Sequence, residues 1–283
     1  MTRSIQNSFG GHISKTALLT ALLPLSFTLF FGTLSTAALF FPTGYDWRVR
    51  VISALTSPHD NPRGCWLPGL GIIAAMLLVL PCAGYVADRL RATAPLLARL
   101  AGLAFALSFS LLLLAVTVQL AQPVIGLRWL HELLARGAAG IFVAGMFCCC
   151  ACGLKDRLRC FGGQGSLSAT LTFYWGSLTL LPIGCLVSIG VLVLLGQQLG
   201  QTWAEDLRQS FRHTILWKLA FWEWIGALVA FAFMVGSILL LPVSRGERRT
   251  ESGPTSKLAE ARMSTVRGPR KPATPARTEP APG

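Results

Sequence analysis

Six apolar runs, at about 17–41, 66–86, 100–121, 137–153, 170–196 and 215–242, limit most tightly what this chain can fold into. Each reaches at least roughly 17 residues, the lower limit for a helix rising about 1.5 Å per residue through about 30 Å of hydrocarbon. The expected fold is therefore all-α: a polytopic membrane protein with six transmembrane helices in one bundle. The fourth run is the shortest and owes its apolar character to Ala, Gly and Cys. The sixth is over-long, so part of it is expected to tilt or to lie in the interface. Arg3 and Lys15 precede the first run in the manner of a secretory signal. That run is about 25 residues long, beyond the roughly 7–15 of a signal core, and an uncleaved first helix is expected.

Composition closes the other possibilities. The chain is 53% hydrophobic and 13% charged, with a net charge of +13, where soluble domains carry about 25% charged residues. A basic nucleic-acid-binding protein would need more charge to cover a water-facing surface. Global disorder, a disulfide-rich secreted scaffold and a soluble enzyme fit no better. No nucleic acid is expected as a partner; the lipid bilayer is.

The basic residues give the orientation. Alternating sides by span places seventeen Lys and Arg with the two termini and eight on the opposite side. Both termini are thus expected to be cytoplasmic. Nine of the seventeen fall in residues 244–283, a Pro-rich segment with almost no large apolar side chain. Such a segment cannot bury enough surface to offset its ordering entropy, and a disordered basic tail is expected. The first three spans do not resemble the last three, which counts against a transporter built from inverted repeats.

Eight cysteines stand at 65, 82, 148, 149, 150, 152, 160 and 185. Three adjacent helical positions point about 100° apart and cannot all turn to one ion. Gly140, Ala144, Cys148 and Cys152 recur every four residues, and this small-residue face is expected to pack against another helix. Metal binding or lipidation of these thiols are the alternatives. No cofactor is implied.

Chemistry-bearing residues gather on the outer side. The first outer loop, TGYDWRVRVISALTSPHDNPRG, holds Asp46, Arg48, Arg50, Ser53, Ser57, His59, Asp60 and Asn61. Pro58 and Pro62 bracket a turn there. Its Trp47–Leu55 stretch suits either a short interfacial helix or an extended strand. Further along the chain come His131 and Glu132, then Glu205, Asp206 and His213. Histidines with carboxylates suit acid–base work or a divalent metal, although no HxxxH or HExxH spacing occurs. Glu223, the one carboxylate inside an apolar run, either stays hydrated among Trp217, Trp222 and Trp224 or turns inward. Arg48, Arg50 and His131 are its expected partners if it turns inward.

ISALTSP after the first span, and HELLARGAAGIFVAG from His131 into the fourth, carry a resemblance. Through Ile52, Ser53, Pro58, His131, Ala138, Phe142 and Gly145 the chain resembles the DRAM/Frag/Sfk family. Those are six-helix membrane proteins related to the damage-regulated autophagy modulators. The added loop residues DWRVR and SPHDNPRG favour a bacterial branch whose function is unassigned, which implies a bacterial inner membrane. The resemblance spans the organisation of the first five helices and implies a fold rather than a reaction.

Three functions follow in order. The first is a non-catalytic membrane protein whose outer loops recognise a lipid headgroup, a small molecule or a membrane partner. Its candidate binding residues are Arg48, Arg50, Ser53, His59, His131 and Glu223. The second is a lipid-active hydrolase or transferase using His131, Asp46, Asp60 and Glu223. The third is a transporter. Convergence of the histidines and a carboxylate on one point would favour the second. The orientation is checked by fusing reporters to Gly283: a green fluorescent protein is expected to fluoresce and an alkaline phosphatase to stay inactive. The reverse pair of results would invert the topology.

Overall fold

A computed structural model describes residues 13–125, 128–160, 167–198 and 202–242. The segment 244–283, with its expected disordered tail, lies outside the described residues. Long helices run over Lys15–Leu39 (α1), Trp66–Leu90 (α3), Pro95–Ile125 (α4), Arg128–Cys160 (α5), Ala169–Gln198 (α6) and Leu219–Leu240 (α8). Two short ones, Ile52–Thr56 (α2) and Thr202–Arg212 (α7), lie between them. Among the described residues there is no strand, and six helices are long and apolar enough to cross a membrane. The protein is an all-α, multi-pass membrane protein. Helix is the local solution in hydrocarbon because each backbone N–H and C=O then finds its partner within the segment.

The helices differ from the apolar runs chiefly at their ends. α5 begins nine residues before the run at 137, because hydropathy trims Arg128, His131, Glu132 and Arg136 while the backbone continues through them. The i,i+4 pair of Glu132 and Arg136, 3.1 Å apart, supports that first part of the helix. At the sixth run the excess length is used differently. Ile215–Trp217 forms a 3₁₀ turn, Lys218 is extended, and α8 starts only at Leu219. In α1 the turns Leu18–Leu22 and Thr28–Gly32 are π-helical. The Leu23 N–H reaches back five residues to the Leu18 carbonyl just before Pro24, and a widened turn accommodates a ring that would otherwise press on the preceding turn.

Polar side chains join the helices to one another. Ser26 of α1 donates to the Ala75 carbonyl of α3 at 3.0 Å. Ser108 of α4 donates to Ala138 of α5 at 2.8 Å. Tyr174 of α6 donates to the Ala232 carbonyl of α8, and Trp175 Nε1 to Ser237 Oγ at 2.8 Å. Lys15 donates from the start of α1 to the carbonyls of Leu239 and Leu241, at 2.7 and 3.0 Å. It thereby satisfies groups that the end of α8 leaves without a helical partner. This contact brings the start of α1 and the end of α8 to one end of the bundle, the proximal end; α2 lies at the other, distal end.

Between the helices Phe105, Phe142, Phe233 and Trp175 form an aromatic core, with neighbouring ring centroids 5.1–6.3 Å apart. Tilted and offset rings at this spacing suit the aromatic quadrupole. The packing face of α5 corrects the small-residue expectation. Ala138, Phe142, Met146, Cys149 and Cys152 are buried, whereas Gly140 and Ala144 are exposed. The buried face mixes Phe142 and Met146 with small residues, and the Gly140–Ala144 stripe lies mostly one position round the helix. Only Cys152 belongs to both.

Gly145 lies on the buried face, and a Cβ there would meet the Phe105 ring at 2.7 Å, while around Gly140 nothing lies within 4 Å. Gly145→Ala is expected to destabilise by about 1–3 kcal/mol through overpacking, and Gly140→Ala to be neutral or stabilising. Thermal unfolding of the two purified variants in detergent checks the pair.

Candidate functional site

At the distal end the chain leaves α1 and turns at Gly44, whose φ of +73° suits a residue without a Cβ. Asp46 spends its carboxylate locally: Oδ1 accepts the Arg48 N–H at 2.9 Å. That is a turn role rather than a chemical one. Arg48 lies over the Trp47 ring, 5.8 Å from its centroid. Arg50 lies 4.8 Å over Phe41 and donates to Thr43 Oγ1 at 3.0 Å. Tyr45 donates its hydroxyl to the Arg50 carbonyl at 2.9 Å and accepts from Trp224 Nε1 at 3.3 Å. Burial pushes the Tyr45 phenol up to about 12, with the nearby Glu223 charge adding to the rise.

The Trp47–Leu55 stretch is neither one helix nor a strand. It turns through Asp46–Arg50 and becomes helical only over α2. The residue before α2 is Val51, which has no side chain able to cap. Glu223, projecting from the first turns of α8, supplies the cap. It accepts the Ile52 N–H at 2.7 Å, and the Ser53 N–H also bonds it. A carboxylate on the orphan N–H groups of a helix start is a favourable, charge-assisted contact. Glu223 is thus half-buried and engaged with backbone, not with Arg48, Arg50 or His131.

The far side of α2 is held by Asn61, which is fully buried. Its amide donates to the Leu55 carbonyl at 3.1 Å and its Oδ1 accepts the Gly64 N–H at 3.1 Å. A Cβ at Gly64 would meet that amide at 2.7 Å, so the close approach requires glycine.

Held at both ends, α2 and the turn after it cover a cavity of about 160 Å³. Ser53, Ser57, His59 and Asp60 line it from that side. Gln119 and Gln122 of α4 and His131 and Glu132 of α5 line it from the bundle. His131 is 8% exposed, and its Nδ1 lies 2.9 Å from the Ala115 carbonyl. A carbonyl only accepts, so Nδ1 carries the proton and Nε2 of the neutral ring is the acceptor. Gln119 is 6% exposed, and its buried Oε1 has no hydrogen-bond partner. A buried polar atom left unpaired carries its full desolvation penalty.

Of the residues singled out in the sequence, the cavity brings together Ser53, Ser57, His59, Asp60, His131 and Glu132. Asp46, Arg48, Arg50, His213 and Glu223 do not line it. His59 and Asp60 pair at 3.3 Å near the surface. Among the described residues no group of three or more His, Cys, Asp or Glu is placed to hold a metal ion. His131 bonds a backbone carbonyl through Nδ1, and among the described residues no hydroxyl or carboxylate hydrogen-bonds its Nε2. Gln119 and Gln122 escaped the sequence reading. The signal was present, as two amides three residues apart where the third apolar run ends.

Compared with family models, with curated proteins and with solved structures, the chain matches none.

Glu223→Ala removes the acceptor from both N–H groups and is expected to free the start of α2. Amide exchange at Ile52 and Ser53 should quicken roughly tenfold, the equivalent of one lost cap. Glu223→Gln keeps an oxygen in place and should lose less than half of that protection, as read by hydrogen-exchange mass spectrometry.

Proposed function

We propose that this membrane protein is a non-catalytic binder. Its distal end faces outward, both termini are cytoplasmic, and the cavity under α2 receives a small polar group of a lipid headgroup or a free small molecule. The observation that carries the reading is the pair of buried polar side chains, Gln119 and His131, turned to one cavity with an acceptor atom lacking a partner. Buried polar groups in a membrane bundle are costly and are kept where something uses them. The cavity is smaller than the roughly 300 Å³ at which drug-sized ligands are held, which favours a headgroup-sized occupant. Ser53 and His131, two of the residues behind the family resemblance, meet at this cavity. That placement supports reading the chain as a bacterial inner-membrane relative of the DRAM/Frag/Sfk proteins.

The test is thermal unfolding of the purified full chain against a panel of lipid headgroups and polar small molecules. At least one member should raise the Tm of the wild type. Gln119→Leu should abolish that rise while leaving the unliganded Tm equal or higher, since an unsatisfied buried atom has been removed. A panel without effect, or an equal rise in the variant, would overturn the binding role.

A further inference from the structure

We propose that the group held under α2 is a primary ammonium, carried on a lipid headgroup or on a free amine. The inference rests on the binding role above and names the chemistry of its ligand. The two deeply buried side chains lining the cavity both offer acceptors: Oε1 of Gln119, which has no partner, and Nε2 of His131, whose other nitrogen is committed to the Ala115 carbonyl. A ligand satisfying both must bring two N–H or O–H donors.

Charge narrows the choice. Among the described residues Asp60 and Glu132 line the same cavity and no Lys or Arg does, Asp60 beside His59 and Glu132 beside the more exposed Arg136. Arg136 offsets part of the Glu132 charge, and the net acidic character of the lining still favours a cation over a phosphate. Arg48 and Arg50, the candidate binding cations of the first outer loop, are turned to Trp47, Phe41 and Thr43 instead. Shape narrows it again. A quaternary trimethylammonium has no N–H to give, and its usual host is a cage of aromatic faces. Among the described residues the lining contains no Phe, Tyr or Trp. Three N–H donors on a small cation meet the acceptors; three methyl groups do not.

The experiment uses the full chain in nanodiscs of phosphatidylcholine. Phosphatidylethanolamine is introduced into the disc in one arm, and ethanolamine is added to the buffer in another. Phosphatidylglycerol and free choline are the comparison arms, and Tm is the readout. A rise with phosphatidylethanolamine alone identifies a lipid-borne ammonium, and a rise with ethanolamine identifies a free amine; either supports the proposal. Choline should give no rise, and Gln119→Leu should weaken ethanolamine or phosphatidylethanolamine binding by about tenfold or more, one charge-assisted hydrogen bond. Choline acting as well as ethanolamine, or phosphatidylglycerol acting alone, would overturn the ammonium assignment while leaving a binding role intact. No rise in any arm, in a protein that the wider panel also leaves unshifted, would remove both. The comparison of ethanolamine with choline on the wild type decides the class even if Gln119→Leu fails to fold.

Discussion

Hydrocarbon provides no partner for a polar atom, and this one constraint organises the structure. It makes the spans helical, because only then does each backbone group find its partner close by. It also changes what holds the helices together, since lipid tails are as apolar as the side chains and burial from water adds little inside the bilayer. The seams are closed by close packing and by side-chain donors lent to a neighbour's backbone. Ser26, Ser108, His131 and Tyr174 all donate to a carbonyl of another helix. The aromatic core of Phe105, Phe142, Phe233 and Trp175 fills the space those contacts define.

The same constraint gives the distal end its meaning. α2 is too short to be stable alone and lacks a cap of its own, so it depends on a carboxylate from α8 and an amide from its own loop. Glu223 therefore acts on the cavity at one remove: it touches nothing in the lining except through the α2 backbone it holds. A residue that reads as a buried catalytic acid becomes a positioning residue for the cover of the site. Gln119 departs from the rule of satisfied atoms, and it does so at the cavity.

Much of this was legible before any coordinates. The six spans were, because apolar length is a property of contiguous sequence and the bilayer thickness sets its threshold. The excess length of the last run was visible too, but the 3₁₀ turn and extended Lys218 that take it up before α8 were not. The ends of α5 were not, because hydropathy measures side chains while the helix is a backbone property that continues through Arg128–Arg136. The packing face of α5 was misjudged for a related reason. Spacing at four marks a stripe of small residues, but the stripe facing a partner is chosen by that partner's shape, here the rings of Phe105 and Phe233.

The division is sharpest at the site. The chain by itself determined that polar groups collect at one end, that Ser53, His59, Asp60 and His131 are among them, and that Glu223 breaks an apolar run. Contiguous composition fixes which end of a span is polar. Only the tertiary structure decided which of these groups meet, since that requires α2, α4, α5 and α8 to converge from positions far apart in the chain. It turned Arg48 and Arg50 onto aromatic rings, gave Glu223 to the backbone of Ile52, and placed Gln119 and His131 on one cavity. Partners across the bundle are selected by three-dimensional packing, and no spacing along the chain encodes them.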